Sequence, residues 1–429
     1  MPVLGQNGKS VVEEVVLLES QTYTALRSGV AVVHCMGGGG EGGHVITTGN
    51  TTNQNLASAT GGGAGGYSRK EIYIETGDTF TVVVGAGGRT SSVVSNSSTQ
   101  GVAGGESTFD HASATATIAL DSNGGAGGVA TNAQTAGGQV HAGGAGGTAS
   151  GGDVNYAGGR GGNITKNNNS VSTGAFCTGG GAVAIKGVSY NGGNAIQGGN
   201  NNHASATGGA GIGGGGGDFT CNANTNCRAA TSGGSSSKSA EAVVGTGTLD
   251  SATGATFALP DVHGNLGYGG CGQFTELAGS GGGISGGSFS YAAIDLSIDP
   301  AYKMIFNSTL GRGPTNFTPE TAGTGVRSGI AGSVGGGGGG TIVDSNTESM
   351  VCHGGNGSWF AGGGGGLSLG TSNPIKRTNG QISGGGLGGI GGGGGGGFRS
   401  ATSNNVAGAD RTIAKASGGQ GCIIIQFLG

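Results

Sequence analysis

Alternating apolar and polar positions predict β-strands at the beginning, in the middle and at the end of the chain. Residues 11–25 (VVEEVVLLESQTYTA) and 29–35 (GVAVVHC) are rich in strand-forming side chains. In residues 70–88, two alternating stretches flank Thr76-Gly77-Asp78, which predicts a β-hairpin. The closing segment Cys422–Leu428 (CIIIQFL) is a continuous apolar run, typical of a strand buried on both faces. Together these segments predict one small antiparallel β core.

Glycine blocks recur along the chain between these strands. They lie at 61–66, 101–105, 124–128, 143–147, 158–162, 208–217, 279–287, 335–340, 362–366 and 384–397, and polar stretches of variable length separate them. This alternation predicts four regions. They are N-terminal strands for attachment at 1–36, a glycine-rich and hairpin region at 37–218, a loop-rich insertion at 219–314, and a second glycine-rich region with the closing strand at 315–429.

Composition excludes an ordinary globular protein. Glycine supplies 110 of 429 residues, while apolar residues make up 34% and aromatic residues 5%, too little to build cores of the usual size. Only six prolines occur, and the glycine runs are uninterrupted, so collagen is excluded as well. The composition on its own also fits a disordered linker, because glycine loses much conformational freedom on folding.

Lateral backbone hydrogen bonding is what can order such runs. A chain with three residues per turn and no internal hydrogen bonds points every N–H and C=O outward, and only glycine lets neighbouring chains approach closely. The predicted fold is therefore mostly irregular and β, with a bundle or sandwich of polyglycine II strands, a small antiparallel β core, long loops and very little helix. Mid-run glycines such as Gly337 and Gly394 are expected to be structural, so that valine there destabilises the fold.

Charge and cysteine usage narrow the possible partners. The formal net charge of −4 and the absence of a basic stripe make nucleic acid an unexpected partner, and no apolar run is long enough for membrane insertion. Seven irregularly spaced cysteines do not form a disulfide framework. Cys221 and Cys227 alone are close enough to pair locally, with free thiols as the alternative. Histidines show no metal-ligand spacing, so neither a metal nor a cofactor is predicted.

Three segments carry a family resemblance. GVAVVHCMGGGGEGG at 29–43, GGGAGGYSRKEIYIETGDTFTVVVGAGG at 61–88 and GGQGCIIIQFLG at 418–429 resemble the glycine-rich domain of bacteriophage tail fibres and tail-tip adhesins. The resemblance implies a glycine-strand sandwich whose distal loops bind a bacterial surface receptor. The sequence shows no sizeable attachment module or repetitive shaft, which suggests a tip that docks on another fibre protein or a subunit that polymerises with its own copies.

Isolated aromatic residues between the glycine blocks are the candidate receptor contacts. Aromatic, Ser, Gly and Asn side chains on loops of a rigid scaffold are typical of binding surfaces. The segment 353–360 (HGGNGSWF) carries the sole tryptophan, Trp359, followed by Phe360; Tyr190, Phe219 and Tyr291 are further candidates. The alternative for each of them is packing, with Trp359 covering the β core or one end of the sandwich.

The expected function is a virion tail fibre or fibre-tip adhesin, extracellular in action, that binds an outer-membrane protein or surface glycan and is not an enzyme. One alternative is a purely structural fibre, decoration or filament subunit. A second alternative is a polysaccharide-degrading tailspike, which needs a pair of facing carboxylates. Its candidates are Asp261, Asp295, Asp299 and Glu320, and their spacing shows no pairing.

Overall fold

A computed structural model gives the fold and describes residues 3–4, 10–48, 57–89, 97–112, 117–131, 139–166, 174–185, 187–197, 203–212, 214–221, 227–230, 233–234, 326–327, 340–343, 351–357, 359–369, 382–401 and 416–429. Within these ranges the chain contains no helix. The expectation of a mostly β and irregular fold with little helix is confirmed. Most of the predicted insertion at 219–314 lies outside the described residues, as do Tyr291 and Gly337.

Short strands make up the regular structure. In chain order they are β1 (Val3–Leu4), β2 (Ser10–Leu17), β3 (Gln21–Thr24), β4 (Gly29–Met36), β5 (His44–Thr48), β6 (Ala57–Ala59), β7 (Tyr67–Ile74), β8 (Thr79–Val83), β9 (Ser97–Thr99), β10 (Ser107–Ala112), β11 (Thr117–Ser122), β12 (Ala130–Thr131), β13 (Gln139–His141), β14 (Ala149–Ser150), β15 (Val154–Tyr156), β16 (Ile164–Lys166), β17 (Gly174–Cys177), β18 (Ala195–Gln197), β19 (His203–Ala206), β20 (Phe219–Cys221), β21 (Cys227–Ala230), β22 (Val326–Arg327), β23 (Gly340–Val343), β24 (Val351–His353), β25 (Gly366–Leu369), β26 (Ile382–Gly384), β27 (Gly397–Ala401) and β28 (Cys422–Leu428).

Two antiparallel sheets form the predicted β core at one end of the molecule. Base sheet 1 has the order β1-β2-β28-β4-β7-β15, and base sheet 2 has the order β14-β11-β10-β8-β3. Apolar side chains fill the space between them, and the rings of Phe80 and Phe109 stack there with centroids 4.5 Å apart. The closing strand β28 lies inside base sheet 1 and every one of its residues is buried, as its apolar run predicts.

The predicted hairpin at 70–88 is wrong. Its two strands and its turn exist, but β7 pairs with β4 and β15 in base sheet 1, whereas β8 pairs with β3 and β10 in base sheet 2. The chain therefore crosses from one sheet to the other at Gly77, whose φ is 94°. Ile74 and Phe80 point into the same core from opposite sides, so apolar alternation is satisfied equally well by two facing sheets.

The glycine runs form a laterally bonded bundle above this core. In residues 37–43, every third N–H bonds the same neighbour: positions 37, 40 and 43 donate to 66, 63 and 60. Positions 38 and 41 donate to 105 and 102, and positions 39 and 42 donate to 419 and 416. A threefold repeat of this kind is the signature of a helix with three residues per turn.

The carbonyl groups of the same run accept from three further segments. Gly125 and Gly128 donate to positions 38 and 41, Gly394 and Gly397 donate to positions 40 and 43, and Gly88 donates to position 39. The run 37–43 therefore has six neighbouring segments. The three runs that accept its N–H groups are antiparallel to it, and the two runs that each donate twice to its carbonyl groups are parallel to it. All of its residues are buried without an apolar core, because backbone groups satisfy one another across the bundle.

Close approach explains why these positions are glycine. A Cβ added to Gly39, Gly40 or Gly42 would overlap a carbonyl oxygen of the neighbouring run, well inside the 3.0 Å that real Cβ atoms keep from other heavy atoms. Gly394 is in the same situation against the carbonyl oxygen of Ala416. At these glycines the separation of neighbouring runs is therefore set by main-chain contact.

Most of the described glycine runs are continuous with a short strand on the side away from the base sheets. Cap sheet 1 has the order β22-β23-β25-β27-β5-β9, cap sheet 2 has the order β12-β6-β17-β19-β21, and cap sheet 3 has the order β13-β16-β18-β20; β24 and β26 form a further pair. The inner strands of these sheets pair in parallel, which places their far ends on one side.

A second apolar cluster closes the bundle on the base side. Several glycine runs turn back there, and the turn residues Val183, Ile212 and Phe360 contact the outer face of base sheet 1 through Met36 and Ile424. Base sheet 1 is consequently buried on both faces beneath the bundle.

Candidate functional site

The far ends of the cap strands form the candidate functional surface. Five polar segments join cap strands that follow one another along the chain, namely 49–56, 132–138, 167–173, 198–202 and 222–226. Each one leaves the described structure at a cap strand and returns to it at another, so all five begin and end at the same side of the bundle. Their sequences consist mainly of Asn, Thr, Ser, Gln, Ala and Gly. This composition offers many hydrogen-bonding groups on a scaffold fixed by backbone bonds.

Threonine hydroxyls tie cap sheets 2 and 3 together where the glycine runs begin. The Oγ1 atoms of Thr60 and Thr178 donate to the carbonyl oxygens of Ala142 and Gly162 at 3.2 and 2.6 Å. Thr178 Oγ1 also accepts the N–H of Gly61 at 3.0 Å. These bonds hold the two sheets in fixed register, which keeps the ends of the joining segments in fixed positions.

The aromatic residues predicted to contact a receptor are not gathered at the cap. Trp359 and Phe360 lie at a turn on the base side, where Phe360 is 0% exposed with a φ of 65° and Trp359 packs half-buried against the second apolar cluster. Tyr190 is half-buried against the same cluster. Phe219 is in cap strand β20 but is only 3% exposed. Their placement matches the packing alternative for Trp359 and Phe360, because bulky side chains fill the space where the runs turn.

Sequence reasoning missed the cap strands themselves. Strands of two to five residues such as β6 (ASA) and β18 (AIQ) carry too little alternation to be recognised. The usable signal was the position of the polar stretches, since each follows a glycine block by a few residues. Cys221 and Cys227, proposed to pair, lie in strands of different cap sheets, β20 and β21.

A chain of buried polar groups runs across the outer face of base sheet 1. Gln426 Nε2 donates to Glu14 Oε2 at 2.7 Å, and Gln426 Oε1 lies 3.3 Å from His34 Nε2. His34 Nδ1 is 2.8 Å from the Tyr67 hydroxyl. Burial raises the pKa of the Glu14 carboxyl, while its hydrogen bond to Gln426 lowers that pKa. This network gives each of these side chains a polar partner on the sheet.

In the described part of the chain, the side chains with the chemistry to ligate a metal ion or to act as catalytic acids are those of His, Cys, Asp and Glu. No group of three or more His, Cys, Asp and Glu side chains there is placed to hold a metal ion. The acidic residues considered for glycan cleavage, Asp261, Asp295, Asp299 and Glu320, lie outside the described residues. Nor does any described helix have the length and apolarity needed to cross a membrane.

Part of the chain matches a known protein family. A family model described as a glycine-rich domain matches residues 17–235, just over half of the chain. The matched span contains all of base sheet 2, strands β4, β7 and β15 of base sheet 1, the central glycine runs and cap sheets 2 and 3. No curated protein matches the chain.

Proposed function

The chain belongs to the glycine-rich domain family, and from that premise we propose that it is a non-catalytic adhesin at the tip of a bacteriophage tail fibre. In this proposal it binds a bacterial surface receptor, either an outer-membrane protein or a surface glycan, through the polar segments that join the cap strands. The base sheets form the attachment end. The protein acts outside the cell, as part of the virion.

One observation carries the proposal: five joining segments begin and end on one side of a bundle whose strands are hydrogen-bonded to several neighbours. Because the bundle has almost no side chains, its stability does not depend on the sequence of the joining segments. Such a scaffold tolerates change in those segments, as a receptor-binding protein requires. The Asn, Ser and Gly residues of these segments supply adaptable hydrogen-bonding groups between fixed anchor points.

The opposite end offers a surface of different chemistry. Val12, Val16 and Tyr73 on base sheet 1 are 49%, 37% and 63% exposed, and Leu18, which directly follows β2, is 38% exposed. Apolar side chains exposed on a sheet favour contact with another protein. This surface supports docking on another fibre protein or on a second copy, and it equally supports the alternative of a purely structural subunit.

Replacing joining segments tests the proposal. Residues 167–173 and, separately, 132–138 are replaced by Gly-Ser repeats of equal length, and binding of the labelled chain to whole bacteria is measured. We expect loss of cell binding with unchanged thermal unfolding. The matched control Y73A changes the base end, so it should retain cell binding.

The other outcomes identify the alternatives. Cell binding that survives both replacements contradicts the adhesin proposal, and loss of self-association in Y73A alone supports the structural subunit. Release of reducing sugar from surface polysaccharide would instead show a tailspike activity.

A further inference from the structure

Polar side chains lie beside apolar ones between cap sheets 2 and 3. In cap sheet 2, Cys177 faces cap sheet 1, because a Cβ on Gly365 would lie 3.2 Å from the Cys177 Cβ. Its neighbour Phe176 therefore points the other way, toward cap sheet 3. Ser58 and Ser205 are paired in register with Phe176 on either side, so their side chains face the same space.

Cap sheet 3 contributes two basic side chains to this space. Ile164 and Lys166 on β16 are buried while the residue between them is only half-buried, so both point toward cap sheet 2. His141 is paired in register with Ile164 and shares its face. Lys166 is 1% exposed. Lys166 and His141 lie on paired strands, two register positions apart. Burial, and after it the Lys166 charge, lowers the pKa of His141.

All four polar groups lack hydrogen-bond partners. The buried atoms are Lys166 Nζ, His141 Nε2, Ser58 Oγ and Ser205 Oγ. Buried polar groups normally have partners, and a buried ammonium without one is the most unfavourable of them. Burial lowers the pKa of Lys166 to about 8, so most of the ammonium is still charged at neutral pH.

No carboxylate among the described residues forms an ion pair with this ammonium. The nine strands of cap sheets 2 and 3 contain neither Asp nor Glu, and the same is true of the five joining segments. Asp218, which precedes β20, accepts hydrogen bonds from the backbone N–H and the side-chain amide of Asn194 at 2.6 and 3.1 Å. A negative charge that compensates Lys166 therefore has to come from outside this part of the protein.

We propose that the space between cap sheets 2 and 3 is a binding site for a carboxylate group, free or carried on a sugar. The Lys166 ammonium supplies the single positive charge, and the neutral donors are the His141 ring and one of the two serine hydroxyls, since Ser58 and Ser205 lie on opposite sides of Phe176. One positive charge matches one carboxylate, whereas a phosphate group carries about −1.5 to −2 at neutral pH. Charge-assisted hydrogen bonds to a carboxylate would give these donors the partner that they otherwise lack. The site does not depend on the proposed receptor binding.

Titration calorimetry of the full chain at constant ionic strength tests this site, with acetate, glucuronate, glucose and inorganic phosphate as probes. We expect acetate or glucuronate to bind, with at least a tenfold weaker Kd in K166M. Of S58A and S205A, which keep the buried charge, one should bind several-fold more weakly, because only one of the two hydroxyls can reach the bound carboxylate. The matched control is K70M, because Lys70 lies on a base sheet and its Nζ donates to the carbonyl oxygen of Gly151 at 3.0 Å.

Every outcome bears on the proposal. Binding of both carboxylates supports a site for the group alone, and binding of glucuronate only supports a carboxylate on a sugar. Glucose that binds as tightly as the carboxylates, or phosphate that binds more tightly, overturns the choice of ligand. The site is overturned if no carboxylate binds to the unaltered protein, or if K166M binds a carboxylate with an unchanged Kd. A second readout is the Lys166 pKa, measured by NMR, which bound carboxylate should raise from about 8 toward the ordinary value for lysine.

Discussion

Adding one methyl group inside the glycine bundle should destabilise the protein strongly. In G394A the new Cβ would overlap the Ala416 carbonyl oxygen and lie 2.7 Å from the Ala416 carbonyl carbon. The neighbouring runs must move apart to relieve this overlap. Gly394 donates to the Gly40 carbonyl oxygen at 2.9 Å and accepts from the Gly62 N–H at 2.8 Å, so the movement stretches two buried hydrogen bonds.

The magnitude follows from these contacts. Overpacking in a rigid interior costs about 1–3 kcal/mol, and each buried backbone group left without its partner adds about 1–3 kcal/mol. We therefore expect the free energy of unfolding to fall by about 3–6 kcal/mol, a large part of the roughly 5–15 kcal/mol typical of a folded protein. Valine at the same position should be at least as destabilising.

The matched control is another glycine to alanine change, at a position with space. A Cβ on Gly29, in strand β4 of base sheet 1, would meet only the Phe427 ring, at 3.8 Å. G29A should change stability by less than about 1 kcal/mol. Urea unfolding followed through the emission of Trp359, the sole tryptophan, measures both variants. If G394A unfolds within about 0.5 kcal/mol of the unaltered protein, close main-chain packing does not hold the bundle together.

Three further perturbations test other parts of the structure. The folded-state pKa of Lys166 lies near 8, below its unfolded value of 10.5. The free-energy cost of burying the charged ammonium is therefore fully present below pH 8, and it disappears between pH 8 and 10.5 as the folded protein loses the proton. Over that range the free energy of unfolding of the ligand-free protein should rise by about 3 kcal/mol relative to K166M. Above pH 9 the raised pKa of the Cys35 thiol, about 12, lowers the free energy of unfolding in both proteins. If that free energy depends on pH in the same way in the unaltered protein and in K166M, the Lys166 effect is refuted. T178V removes the hydroxyl that accepts from Gly61 N and should lower the urea midpoint by the equivalent of about 1–3 kcal/mol, whereas T178S should not. F360A opens a cavity in the second apolar cluster and should cost about 3–5 kcal/mol by the same measurement, unless the turn collapses onto the gap.

Several features of the fold could be predicted from short stretches of sequence, because they depend only on the residue types within those stretches. The closing strand was recognisable because an unbroken apolar run can be buried only between two layers, and its residues contact both apolar clusters. The glycine runs were recognisable as laterally bonded strands because a backbone without side chains has no other stabilising contacts to make. The hairpin at 70–88 failed for the converse reason, since alternation specifies which face is buried and not which sheet a strand joins.

The candidate carboxylate site was beyond local pattern altogether. Lys166 and Ser205 are far apart in sequence and lie in strands of three and four residues whose neighbours are mostly small. Nothing in either segment distinguishes them from the other polar stretches. Their common environment arises because two sheets, joined through the bundle, stack face to face.

Amino-acid order alone settles that this chain builds a β core at its apolar segments and a side-chain-free lattice at its glycine runs, since burial and close approach depend on residue type. It does not settle which run lies beside which. Glycine offers no side-chain complementarity, so neighbours are chosen by the direction, length and threefold hydrogen-bond register of the whole bundle. The three-dimensional arrangement of those runs is therefore what brings the polar joining segments, and the buried lysine beneath them, to one end of the molecule.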